Sequence, residues 1–87
     1  MLSGVMATVF HSRRRYRVAV NSNDHPPAHG HAFGKGCAAR FKLNCPEGPV
    51  ELWDFVGDWT LAHLNELGGE IAAELDDCCK VWSEIHG

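Results

Sequence analysis

The sequence has no apolar run near the roughly 20 residues needed to cross a bilayer, which excludes a membrane-spanning helix. It has no basic stretch ahead of its apolar opening, Met1 to Phe10. Arg13-Arg14-Arg15 follows that opening instead, so no export signal is expected and the expected setting is cytoplasmic. It has no Cys-x-x-Cys pair. Its four cysteines, Cys37, Cys45, Cys78 and Cys79, are expected as free, mostly buried thiols, because the adjacent Cys78 and Cys79 bridge each other only under strain. There is no internal repeat and no low-complexity tract. There is no room for a second domain either, since 87 residues build one modest core. Residues 1–87 are therefore read as a single domain, and an enzyme with separate cofactor and substrate domains is excluded.

Each half of the chain lacks charge of one sign. Residues 1–44 carry Arg13, Arg14, Arg15, Arg17, Lys35, Arg40 and Lys42 against Asp24 alone, a net +6. Residues 45–87 carry Lys80 against ten carboxylates, a net −9, which together give the overall −3. Such polarity either neutralises itself across the fold or presents two opposed surfaces to partners.

Apolar alternation marks strands near residues 5–10, 16–21, 29–34, 37–43 and 50–55. Gly34-Lys35-Gly36 supplies the positive φ angles of a tight hairpin between the third and fourth. From Thr60, a plausible N-cap, the period changes. Leu61, Leu64, Gly68, Ile71, Leu75, Cys78, Trp82 and Ile85 step by three and four, the stripe of an amphipathic helix. The expectation is an α+β fold: a curved antiparallel sheet of four to five strands packed on one long C-terminal helix from about Thr60 to Ile85. Leu64, Ile71, Leu75 and Trp82 are expected among the most buried helix residues.

The informative segment runs from Asn23-Asp24-His25-Pro26-Pro27-Ala28-His29-Gly30-His31 to Phe33-Gly34-Lys35-Gly36. His29 and His31, two apart on a strand, project to one side, and His25 comes from a loop stiffened by two prolines. Three imidazoles with Asp24 to orient one of them fit a metal site: His25, His29 and His31 as ligands, Asp24 behind them, and zinc or another divalent metal as the ion. His11 and Cys37 are candidates for a fourth ligand; His63 and His86 read as surface residues of the helix. The same imidazoles also suit acid–base chemistry near neutral pH, or a structural role in which they bond backbone groups that the Pro-Pro loop leaves unpaired. No pair of carboxylates accompanies them, so no catalytic residue is assigned.

This run resembles the signature of domain-of-unknown-function family 4160, small bacterial proteins with Asp-His-x-Pro-x-His-x-His after a strand. In that family a glycine hairpin, an alternating strand and a helix ending in tryptophan follow; Trp82 stands at that place here. The likeness covers roughly residues 16–87. Gly30, where an aromatic or β-branched residue is common, and the pair Cys78-Cys79 depart from the pattern. What the resemblance implies is a setting in mobile regions beside another small protein, as in toxin–antitoxin pairs, or a phage-type inhibitor.

The function expected from these readings is a protein-binding module acting through a charged surface on a partner with a basic surface. Glu66, Glu70 and Glu74, spaced by four and extended by Asp77, form the candidate face. The alternatives are a histidine-centred nuclease, metal-dependent or metal-free, and nucleic-acid binding in which Arg13, Arg14, Arg15 and Arg17 grip phosphate. Net negative charge weighs against the last.

Overall fold

The five alternating segments become five strands in the computed structural model, which describes residues 5–87. The first four residues of the apolar opening lie outside the described residues. The strands are β1 (Met6–His11), β2 (Arg17–Asn21), β3 (His29–Gly34), β4 (Cys37–Lys42) and β5 (Glu51–Val56). They form one antiparallel sheet in chain order, so each strand pairs with the one before it. The β3–β4 hairpin closes Gly34 against Cys37. Its positive φ angles fall on Lys35 (54°) and Gly36 (76°), the two central residues of the turn.

Register divides the sheet into two faces. Val18 sits opposite Ala32 and Ala32 opposite Ala39. With Phe41 and Leu43 these residues line the face that packs on the helices. The next residue along each strand belongs to the other face: Arg17 and Ala19 on β2, His29, His31 and Phe33 on β3, Arg40 and Lys42 on β4. His31 thus lies between Ala19 and Arg40.

Beyond β5 the chain turns through Gly57, at φ 101°. A Cβ there would lie 2.9 Å from both Cα and Sγ of Cys37, so only glycine passes this close to β4. Helix α1 (Leu61–Ala73) then starts as its cap predicts, with the His63 backbone N–H donating to Thr60 Oγ1 at 3.0 Å. Leu64, Leu67 and Ile71 from α1 are buried, as are Leu75 and Cys78 from α2 (Leu75–His86).

The single long helix is corrected to two. The break falls at Glu74, whose φ of −107° and ψ of 21° leave helical space. It does not fall at Gly68-Gly69, which lie within α1. A side chain at Gly68 would start 3.4 Å from the Phe41 ring, so the glycine lets α1 settle against β4. Trp82 is corrected as well. It is half-buried and outside the apolar core cluster, because its ring lies 5.5 Å from His29 and stacks on His86 at 3.7 Å.

The cysteines are corrected in part. Cys45, in the β4–β5 turn, is bonded to Cys79 on α2, with 5.8 Å between their Cα atoms. Cys37 and Cys78 are free. A disulfide persists in oxidising surroundings, which sits against the expectation of a reducing cytoplasm. Among the described residues, no helix is long and apolar enough to cross a membrane.

Candidate functional site

The β2–β3 loop carries Asp24 over the start of β3. The Asp24 N–H donates to Asn21 O at 3.1 Å, and the Asn23 N–H donates to Asn21 Oδ1 at 2.9 Å. These bonds turn the chain back so that the carboxylate meets two ring nitrogens. Asp24 Oδ2 lies 2.7 Å from His31 Nε2 and 3.3 Å from His29 Nε2. His29 is buried at 3% exposure, and its Nδ1 is 2.8 Å from Pro27 O.

Aromatic rings enclose His29. Trp53 meets it edge-on at 5.0 Å between centroids, Trp82 lies at 5.5 Å and His31 at 5.2 Å. Trp53 in turn carries two cations on its face, Arg40 at 4.4 Å and Lys42 at 5.1 Å. The Arg40 guanidinium pairs with Asp54 on β5, Nε to Oδ1 at 2.8 Å. That bond holds the Asp54 carboxyl below the usual carboxylate range. A cleft of about 350 Å³ opens beside the cluster, lined in part by His31, Phe33, Arg40, Asp54 and Val56.

The predicted ligand set is brought together only in part. Among the described residues, Asp24, His29 and His31 form the one group with metal-ligand spacing, their donor atoms all within 4.8 Å of one another. Asp24, expected behind the imidazoles, belongs to this group itself. His25 is exposed and outside the group: alternation fixes where strand residues point, but a loop residue before two prolines has no such constraint. His11 and Cys37 lie at the opposite end of their strands from His29 and belong to no such group.

The two charged runs meet each other. Arg14 pairs with Glu66 at 3.1 Å, and the Arg13 backbone N–H donates to Glu70 Oε1 at 2.9 Å. Arg17 donates to Thr8 Oγ1 at 2.6 Å and lies over the Phe33 ring. Two of the four carboxylates of the acidic face, and two of the four arginines, are thus engaged inside the molecule. Glu74 and Asp77 stay exposed, as do Arg13 and Arg15.

One surface was not marked out by sequence reasoning. β5 pairs with β4 on one side only, and all six of its residues are exposed. Leu52, Trp53, Phe55 and Val56 are between 37% and 67% exposed. An apolar groove of about 390 Å³ runs between this strand and α1, lined by Leu52, Phe41, Leu64 and Gly68 among others.

Comparison with known proteins adds no relative: no family model, no curated protein and no solved structure matches the chain.

Proposed function

We propose that the protein is a small protein-binding module that takes an extended, basic segment of a partner protein along the free edge of β5. The observation that carries this reading is the edge itself. Natural sheets blunt their edges with charged side chains, proline, bulges or a covering element, because unpaired backbone groups recruit further strands. β5 has two carboxylates and a bulge at Trp53 but no lysine and no proline, and it offers four large apolar side chains to solvent. An added strand would satisfy its backbone groups, while alternate side chains reach the groove against α1.

Charge supports a basic occupant. Glu47, Glu51 and Asp58 lie on or beside the strand, where Asp54 is already paired with Arg40, and neither Lys nor Arg occurs between Lys42 and Lys80. A second copy paired edge to edge would bring these carboxylates together, which disfavours self-pairing. The basic partner is the one expected from the sequence, met at β5 instead of at the Glu66–Glu70 face, whose carboxylates already contact the β1–β2 turn. In a toxin–antitoxin-like or phage-inhibitor setting, that partner is a second small protein.

The test uses a synthetic peptide of about ten residues alternating Val and Lys, long enough to form one strand, with a Val–Glu peptide as control. Hydrogen exchange should show β5 amides protected by the basic peptide alone, less so as salt rises from about 0.05 to 0.5 M. The variant Leu52→Lys/Phe55→Lys, altered at two exposed positions, should lose the protection while keeping its melting temperature. Equal protection by both peptides, or by neither, refutes the reading. Self-association of the protein with no peptide effect assigns the edge to a second copy.

A further inference from the structure

We propose that Asp24, His29 and His31 bind a single divalent transition-metal ion of the zinc class, a site distinct from the β5 edge although Trp53 touches both. The argument starts from the protons of His29. Pro27 O can only accept, so the Nδ1 atom 2.8 Å away carries the hydrogen. A neutral ring with its hydrogen on Nδ1 leaves a bare lone pair on Nε2. That nitrogen is buried and has no hydrogen-bond partner. Its nearest polar neighbour is the Asp24 carboxylate, 3.3 Å away. A lone pair facing a carboxylate in a water-excluded position is repulsive, and a cation held by both atoms removes the repulsion.

A proton on Nε2 is the simplest such cation and would make the 3.3 Å contact an ion pair, but Nε2 forms no hydrogen bond to Asp24 in this arrangement. A metal ion needs no such bond; it needs donor atoms around a common point. An ion with ligand bonds of about 2.0–2.1 Å holds tetrahedral donors about 3.3 Å apart. The His29 spacing to Asp24 Oδ2, 3.3 Å, matches that geometry, the His31 spacing, 2.7 Å, is shorter, and all three donors lie within 4.8 Å of one another, so His31 must draw back from Asp24 to admit the ion. His31 would exchange its present hydrogen bond to Asp24 for the ion.

The surroundings fit as well. A metal-bound histidine commonly donates its other ring N–H to a backbone carbonyl, which sets tautomer and orientation; Pro27 O supplies that acceptor. Two imidazoles and one carboxylate match the preferences of zinc, cobalt and nickel better than those of calcium or magnesium. Trp53 and Trp82 shield the His29 side, while His31 and Asp24 keep partly exposed side chains through which an ion can enter. Three protein donors leave the remaining coordination open to water or an added ligand.

The experiment uses untagged full-length protein stripped with chelator. Titration with zinc chloride by calorimetry should show one equivalent bound. Nickel or cobalt should quench tryptophan fluorescence, since two of the three tryptophans touch His29. Asp24→Asn and His31→Gln, both at partly exposed positions, should each weaken binding beyond the roughly ten- to hundredfold typical of outer-shell changes. His25→Gln should bind as the wild type does. Folded wild-type protein taking up less than a tenth of an equivalent would overturn the proposal. Full binding by both Asp24→Asn and His31→Gln would overturn it by placing the ion elsewhere. Neither result bears on peptide protection of β5, so this proposal and the proposed function fail separately.

Discussion

Breaking the Cys45–Cys79 bond tests how the two helices are held against the sheet. The bond spans 34 residues, and opening a loop of that length returns about 13 cal/mol/K of chain entropy to the unfolded state. That is about 4 kcal/mol at 25 °C. Domains of this size are stable by about 5–15 kcal/mol in all, so the bond is a large fraction of the total. Cys45 is exposed and Cys79 only partly buried, so Cys45→Ala/Cys79→Ala leaves no core cavity to confuse the result. The measurement is thermal unfolding followed by circular dichroism, for wild type and variant, each with and without reductant. Reductant should lower the wild-type Tm by roughly 15–30 °C, onto the variant's value, and leave the variant unmoved. If the wild type melts at the same temperature in both buffers, the bond does not constrain the folded chain and the placement of α2 is wrong.

The remaining outcomes rest on packing and burial. Gly57→Ala meets Cys37 at 2.9 Å and a φ of 101° together, so urea denaturation should show a loss of about 2–4 kcal/mol. Gly69→Ala, with open space where its Cβ would go, should instead gain about 0.5–1 kcal/mol from helix propensity. Ile71→Ala removes a fully buried side chain between sheet and helices and should cost about 2–5 kcal/mol by the same measurement. Burial, with Glu74 and Asp77 adding to it, pushes the Cys78 thiol up to about 11. Iodoacetamide under native, oxidising conditions at about pH 8 should therefore leave Cys78 unlabelled, and mass spectrometry of the digest should find the label on Cys37. Because the folded value lies above the unfolded one, the contribution of Cys78 to stability is intact below about pH 9. It is lost as pH rises toward 11.

What depends on neighbours in the chain was legible before the fold was known. Strand alternation, the two-residue hairpin at Lys35-Gly36 and the Thr60 cap are all set by residues within a few positions of one another. The helix break at Glu74 was not legible, because each half keeps its own three-and-four stripe and the pattern reads straight through a bend. The bond between Cys45 and Cys79 joins a turn to a helix, and no local signal records which cysteines meet. At the site, His29 and His31 were placed by strand parity. His25 was misplaced because parity does not extend into a loop. Asp24, expected behind the imidazoles, stands within reach of both His29 and His31, since the turn bonded through Asn21 decides how far it reaches. β5 reads as an ordinary strand; its exposure follows from how little of it α1 covers, a property of the assembled layers alone.

The histidine cluster and the β5 edge meet at one residue. Between the pairs Phe41–Leu52 and Arg40–Asp54 the register slips, so Trp53 is the extra residue of a bulge. A regular strand would send Trp53 and Asp54 to opposite faces. The bulge lets both project on the side of the cations, Asp54 to Arg40 and the Trp53 ring under Arg40 and Lys42 and against His29. The middle of the free edge is therefore anchored through a ring that also shields the buried nitrogen of His29. An ion held by His29 would fix that ring from one side, and a segment laid along β5 would fix it from the other. Both readings thus converge on the Trp53 ring, yet each is tested alone: the peptide on chelator-stripped protein and the ion without peptide.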